Sequence, residues 1–102
     1  MKLIEKLSDM IEDEIEGADC YITMALKYKD EDPDMARTFY TLSMQELDHM
    51  TALHGLVVAA IDKYKREKGE PPEGMKALYD YLHGKHIEYA ADVKTKQSMF
   101  SR

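Results

Sequence analysis

Cysteine occurs once in this chain, at Cys20. One thiol cannot form an intrachain disulfide, a Cys-x-x-Cys zinc or redox motif, or an iron–sulfur cluster. A lone cysteine fits a reducing cytoplasm, which is the expected location. Tryptophan is absent and phenylalanine occurs only twice; proline occurs three times, so few positions are barred from helix. Basic excess is also lacking: 14 Lys and Arg stand against 20 Asp and Glu, for a net charge of −6. Phosphate binding needs a basic surface, so nucleic acid is not an expected partner. An acidic surface attracts cations instead. No apolar run approaches the roughly 18 residues of a membrane span. The opening "MKLIEKLSDMIEDEIEG" puts charge into every turn, unlike a signal peptide, and no membrane association is expected.

What is present is a helix-forming composition. The 102 residues are 44% hydrophobic and 33% charged, enough for one small packed domain spanning 1–102. Ala, Leu, Met, Glu and Lys dominate, and long β-branched runs are missing. Eight Met and seven Tyr supply gap-filling and amphipathic bulk. The clear interruptions are "DEDPD" (30–34) and "KGEPPEG" (68–74). The fold class expected is all-α, with helices over about 2–30, 34–68 and 74–100. Asp32 is the expected N-cap of the second helix, with Pro33 in its first turn. Short connections make neighbouring helices antiparallel, giving a long helical hairpin with a third helix folded back along it. Gly17, Gly55 and Gly84 fall inside these helices; Gly17 is open to a close helix contact, Gly55 to a bend, and Gly84 to simple tolerance.

Each helix carries an apolar seam stepping by three and four. The first reads Ile4, Leu7, Ile11, Glu14, Ala18, Tyr21, Ala25 and Tyr28. The second reads Met35, Phe39, Leu42, Glu46, His49, Leu53, Leu56, Ala60 and Tyr64. The third reads Met75, Leu78, Leu82, His86, Tyr89, Val93, Gln97 and Phe100. Glu14, Glu46 and His49 are the polar intruders of the first two. A lone seam Glu often sits at an edge with its charge in water, and a lone His is more often a core residue than a ligand. Their conjunction argues otherwise. In a hairpin folded about residue 32, position 14 lies opposite position 50, so all three reach one depth. Two carboxylates there repel each other, and neither seam offers Lys or Arg nearby. A divalent metal is the simplest neutralising partner. Carboxylate and imidazole suit iron or manganese, with zinc also compatible. The third helix adds no ligand, because "VKTKQ" (93–97) faces this level and His86 lies about two turns away. Three ligands are half of a two-metal site. The other half is expected from a second copy, giving an obligate homodimer or a higher homo-oligomer.

"EIEGADCY" (14–21), a Glu followed seven residues later by Tyr, and "ELDH" (46–49), a Glu-x-x-His, resemble the ferritin-like superfamily. Di-iron bundles of that kind use a Glu from each of two helices and a Glu-x-x-His from each of two others. By size the chain looks most like the encapsulated-ferritin-like group, with rubrerythrin-like proteins sharing the helix motifs. The resemblance covers the first two helices. It implies a four-helix bundle completed by dimerisation, with a di-iron ferroxidase centre between subunits. It would make Glu14, Glu46 and His49 iron ligands and Tyr21 the catalytic partner that hydrogen-bonds a ligating carboxylate. It would also place Asp13 and Glu16 near the iron's way in, although a solvated acidic face explains them as well. "KQSMFSR" does not look like a shell-targeting tail, which speaks against residence in an encapsulin shell. One cysteine excludes a rubredoxin module.

The expected function is therefore an Fe(II)-oxidising oxidoreductase using dioxygen or peroxide. The rivals are a metal-free structural or adaptor bundle, and a rubrerythrin-like or manganese-dependent peroxide-removing protein. His54, His83 and His86 are given structural or surface roles. A second site from His86 and Glu88 is disfavoured because the two point in different directions on a helix. Cys20 has no assigned chemistry.

Overall fold

A computed structural model describes residues 1–102 and contains three α-helices and no strand. They are α1 (Lys2–Tyr28), α2 (Pro33–Lys68) and α3 (Glu73–Phe100), within two residues of the expected bounds. No helix is long and apolar enough to cross a membrane. The α1–α2 turn closes on the expected cap: the Met35 backbone N–H donates to Asp32 Oδ1 at 3.2 Å, and Pro33 occupies the first turn. α2 ends at Gly69, whose φ of 82° favours glycine and whose N–H donates to the Lys65 carbonyl at 3.0 Å. At the usual rise per residue an unbroken 36-residue helix is about 54 Å long, matching the 55 Å longest dimension of the molecule. α2 therefore sets the length and continues as helix through Gly55.

α1 packs antiparallel to α2, and α3 lies along one side of that hairpin. The core is Ile4, Leu7, Ile11, Ile15, Ala18, Ile22 and Ala25 of α1, with Leu47 and Val57 of α2 and Ala90 and Val93 of α3. This corrects two expected seams. In α1, Ile15 and Ile22 are fully buried, while Glu14, Tyr21 and Tyr28 flank them half-buried. In α2, the buried residues are Ala36, Ser43, Leu47 and Val57, each one position beyond a seam residue assigned from spacing. α1 supplies most of the cover on α2, and α3 adds its own at Tyr40, Ser43 and His54, so the stripe lying between the two helices is interior. The stripe through Glu46 and His49 stays at the edge, and its Leu56 is 56% exposed. In α3, Val93 and Gln97 are buried as expected, but Leu78 is exposed.

Polar contacts fix how α3 docks. Gln97 Nε2 donates to Ser43 Oγ at 2.9 Å, and Ser43 Oγ donates to the Ala18 carbonyl at 2.7 Å. This buried chain joins all three helices. Further along, Lys96 Nζ reaches Asp19 Oδ1 at 2.7 Å and the Tyr89 hydroxyl donates to Asp19 Oδ2 at 3.1 Å. Burial, and then the Asp19 carboxylate, push the Tyr89 phenol up to about 12.

Candidate metal centre

Glu14 projects from the middle of α1, and Glu46 and His49 from one face of α2, where a three-residue spacing brings side chains together. The antiparallel hairpin sets the two helices at the expected level. Each residue offers one ligand atom, and these atoms lie within 4.8 Å of one another. They form the only such group of three His, Cys, Asp or Glu residues in the chain. His49 Nδ1 is 3.4 Å from Glu14 Oε2. The burial is graded and shallower than the seam implied. Glu14 and Glu46 are half-buried, whereas the His49 side chain is 60% exposed. The cluster lies on the edge of the hairpin that α3 leaves uncovered.

Its electrostatics are unresolved within one chain. Glu14 Oε2 is buried and has no hydrogen-bond partner, the one buried side-chain polar atom in that condition. Two ionised carboxylates have no proton to share. A protonated Glu46 can donate to Glu14, and for that reason first, then for burial and the Glu14 charge, the Glu46 carboxyl is held above the ordinary glutamate value. The nearby His49 pulls the other way. A divalent cation would satisfy the same atoms without the proton, and two carboxylate oxygens with one imidazole nitrogen are a donor set that iron, manganese or zinc accepts. The residues present therefore fit a metal ion.

The Tyr21 ring stacks on Phe39 at a centroid distance of 6.2 Å and lies outside the three-residue cluster. Asp13 and Glu16 are exposed on α1 and are not part of the cluster either. Cys20 is exposed and free. On the opposite side of the hairpin, His54 and His83 stack at 4.7 Å and share a cavity of about 400 Å³ with His86. Burial lowers the His86 pKa, against the opposing pull of Glu12. The grouping of these three imidazoles was not legible from spacing, because it depends on where α3 lies across α2.

Compared with known proteins, the chain matches no family model, no curated protein and no solved structure. Fold and cluster together define a class: a three-helix protein with two carboxylates and one imidazole gathered on an uncovered hairpin face.

Proposed function

We propose that this protein is a ferroxidase-type oxidoreductase whose substrate is Fe(II), held between two copies of the chain. The observation that carries the reading is the buried Glu14 Oε2, which has no hydrogen-bond partner and lies within reach of Glu46 and His49. A second copy docked on the uncovered face would double the set to four Glu and two His, completing a ferritin-like four-helix bundle. Half-buried Phe39, Leu42 and Leu53 and exposed Leu56 give that face the apolar character a helix partner needs. The ligands would fix the iron spacing and leave open positions for the oxidant. Each of two Fe(II) ions loses one electron. Dioxygen takes both electrons with two protons and leaves as hydrogen peroxide; peroxide as the oxidant gives two waters. Tyr21, on the same edge of α1 as Glu14, is proposed to hydrogen-bond a carboxylate of the assembled site. Manganese or zinc would use the same donors.

Adding Fe(II) without air and then admitting oxygen tests the reading through the rise of ferric absorbance. The parent protein is expected to oxidise iron faster than buffer alone. Glu46→Ala and His49→Ala should each lose most of that advantage, and equal rates in parent and variants would overturn the assignment.

A further inference from the structure

We propose that Gly17 is a positioning residue for the metal centre: its missing side chain makes the room in which the Glu46 carboxylate lies against α1. This rests on the metal reading of Glu14, Glu46 and His49. Gly17 sits in the interior of α1, where glycine is the poorest helix former after proline. A Cβ placed there would stand 3.1 Å from Glu46 Oε2, 3.5 Å from its Cδ and 3.7 Å from its Cγ. The first distance is tighter than ordinary packing. By contrast, a Cβ at Gly55, Gly74 or Gly84 would meet nothing within 4 Å. Gly17 is thus the helical glycine where a Cβ would crowd a specific neighbour, and that neighbour is a candidate ligand.

The consequence is geometric. Gly17 follows Glu14 by three residues, so the two share an edge of α1, and the gap at Gly17 lets Glu46 cross to α1 beside Glu14. Any added methyl group would displace the Glu46 carboxylate by a few tenths of an ångström. Such a shift is trivial for a solvated glutamate. It is large for a ligand, because metal–ligand distances hold to within about 0.2 Å. A residue that touches no metal would then set the reach of one that does.

The test uses Co(II), whose visible absorption reports ligand geometry, on the full chain as parent, Gly17→Ala and Gly84→Ala. The parent and Gly84→Ala should bind alike. Gly17→Ala should bind about tenfold more weakly, the low end for disturbing a ligand's support, and its cobalt spectrum should change. Melting of the metal-free proteins adds a readout independent of metal. Gly84→Ala should raise Tm by about 4 °C through helix propensity alone. Gly17→Ala should raise it less in the parent than in a Glu46→Ala background, where the obstructing carboxylate is gone. If the parent binds no cobalt, the metal function fails and this role falls with it. If the parent binds but Gly17→Ala matches it in affinity and spectrum, or if the gain in Tm is the same in both backgrounds, the role of Gly17 is overturned while the metal site stands.

Discussion

Glu46 is where the proposed metal binding would be set against stability. Its carboxyl holds its proton above the ordinary value of 4.5, because a protonated Glu46 can donate to Glu14 and both groups are partly withdrawn from water. The folded chain therefore binds more protons than the unfolded one between 4.5 and the raised value, and stability falls as pH rises through that window. Above that window the metal-free protein carries the repulsion that the Glu46 proton relieves. Glu46→Gln should consequently raise Tm at pH 7 without metal. The gain should vanish near pH ~4, where the parent carboxyl is itself protonated. Circular-dichroism melts at the two pH values check this, and an equal gain at both would exclude the carboxylate pair as its source. If Glu46 is the ligand proposed, Mn(II) should reverse the sign, since the variant would remove binding that stabilises the folded state. His86 runs the opposite way: burial lowers its pKa below 6.5, so its contribution is present above 6.5 and is lost as pH falls through the lowered value.

At the scale of the helices, Ser43 is the junction. Its hydroxyl and both groups bonded to it are interior, with Ser43 and Ala18 fully buried and Gln97 5% exposed. Ser43→Ala should cost about 1–3 kcal/mol in urea unfolding, because it leaves the buried Gln97 amide without its acceptor. Adding Gln97→Leu should recover part of that loss; a double variant less stable than Ser43→Ala would show that the amide is satisfied elsewhere. This junction also marks where the sequence stops being readable. The breaks at Pro33 and Gly69, the Asp32 cap and the level of Glu14 with His49 all follow from local chemistry and the length of a hairpin. The choice of interior stripe does not. Along α2, Phe39, Leu42, Glu46 and Leu53 repeat with the same period as Tyr40, Ser43, Leu47 and His54 one position on. Packing against α1 at Ala18 and α3 at Gln97 together decides which stripe is covered. Spacing therefore brought Glu14, Glu46 and His49 to one place but put them deeper than they are, and it passed over Ile15 and Ile22 beside Glu14 and Tyr21. Gly17 was noticeable as a glycine inside a helix, but the carboxylate lying against it comes from another element.

At the scale of the whole molecule, a slender body of 55 × 19 × 17 Å leaves the site on an edge that nothing covers. In the proposed assembly two copies bring four carboxylates together there. Without a cation those charges oppose association, and with one they favour it, so metal and the second copy must strengthen each other's binding to the same degree. Sedimentation of the metal-free protein should show weak association, and Mn(II) should shift it to twice the chain mass. Leu56→Lys separates this linkage from the ligands themselves. Leu56 is 56% exposed on the edge that carries the site, seven residues from His49, so a lysine there should leave the helix content and Tm of the single chain unchanged. It should nevertheless keep the chain monomeric and weaken Mn(II) binding by at least tenfold, although Glu14, Glu46 and His49 are all intact. A folded Leu56→Lys monomer that binds Mn(II) as tightly as the parent would place the whole site within one chain and remove the need for the second.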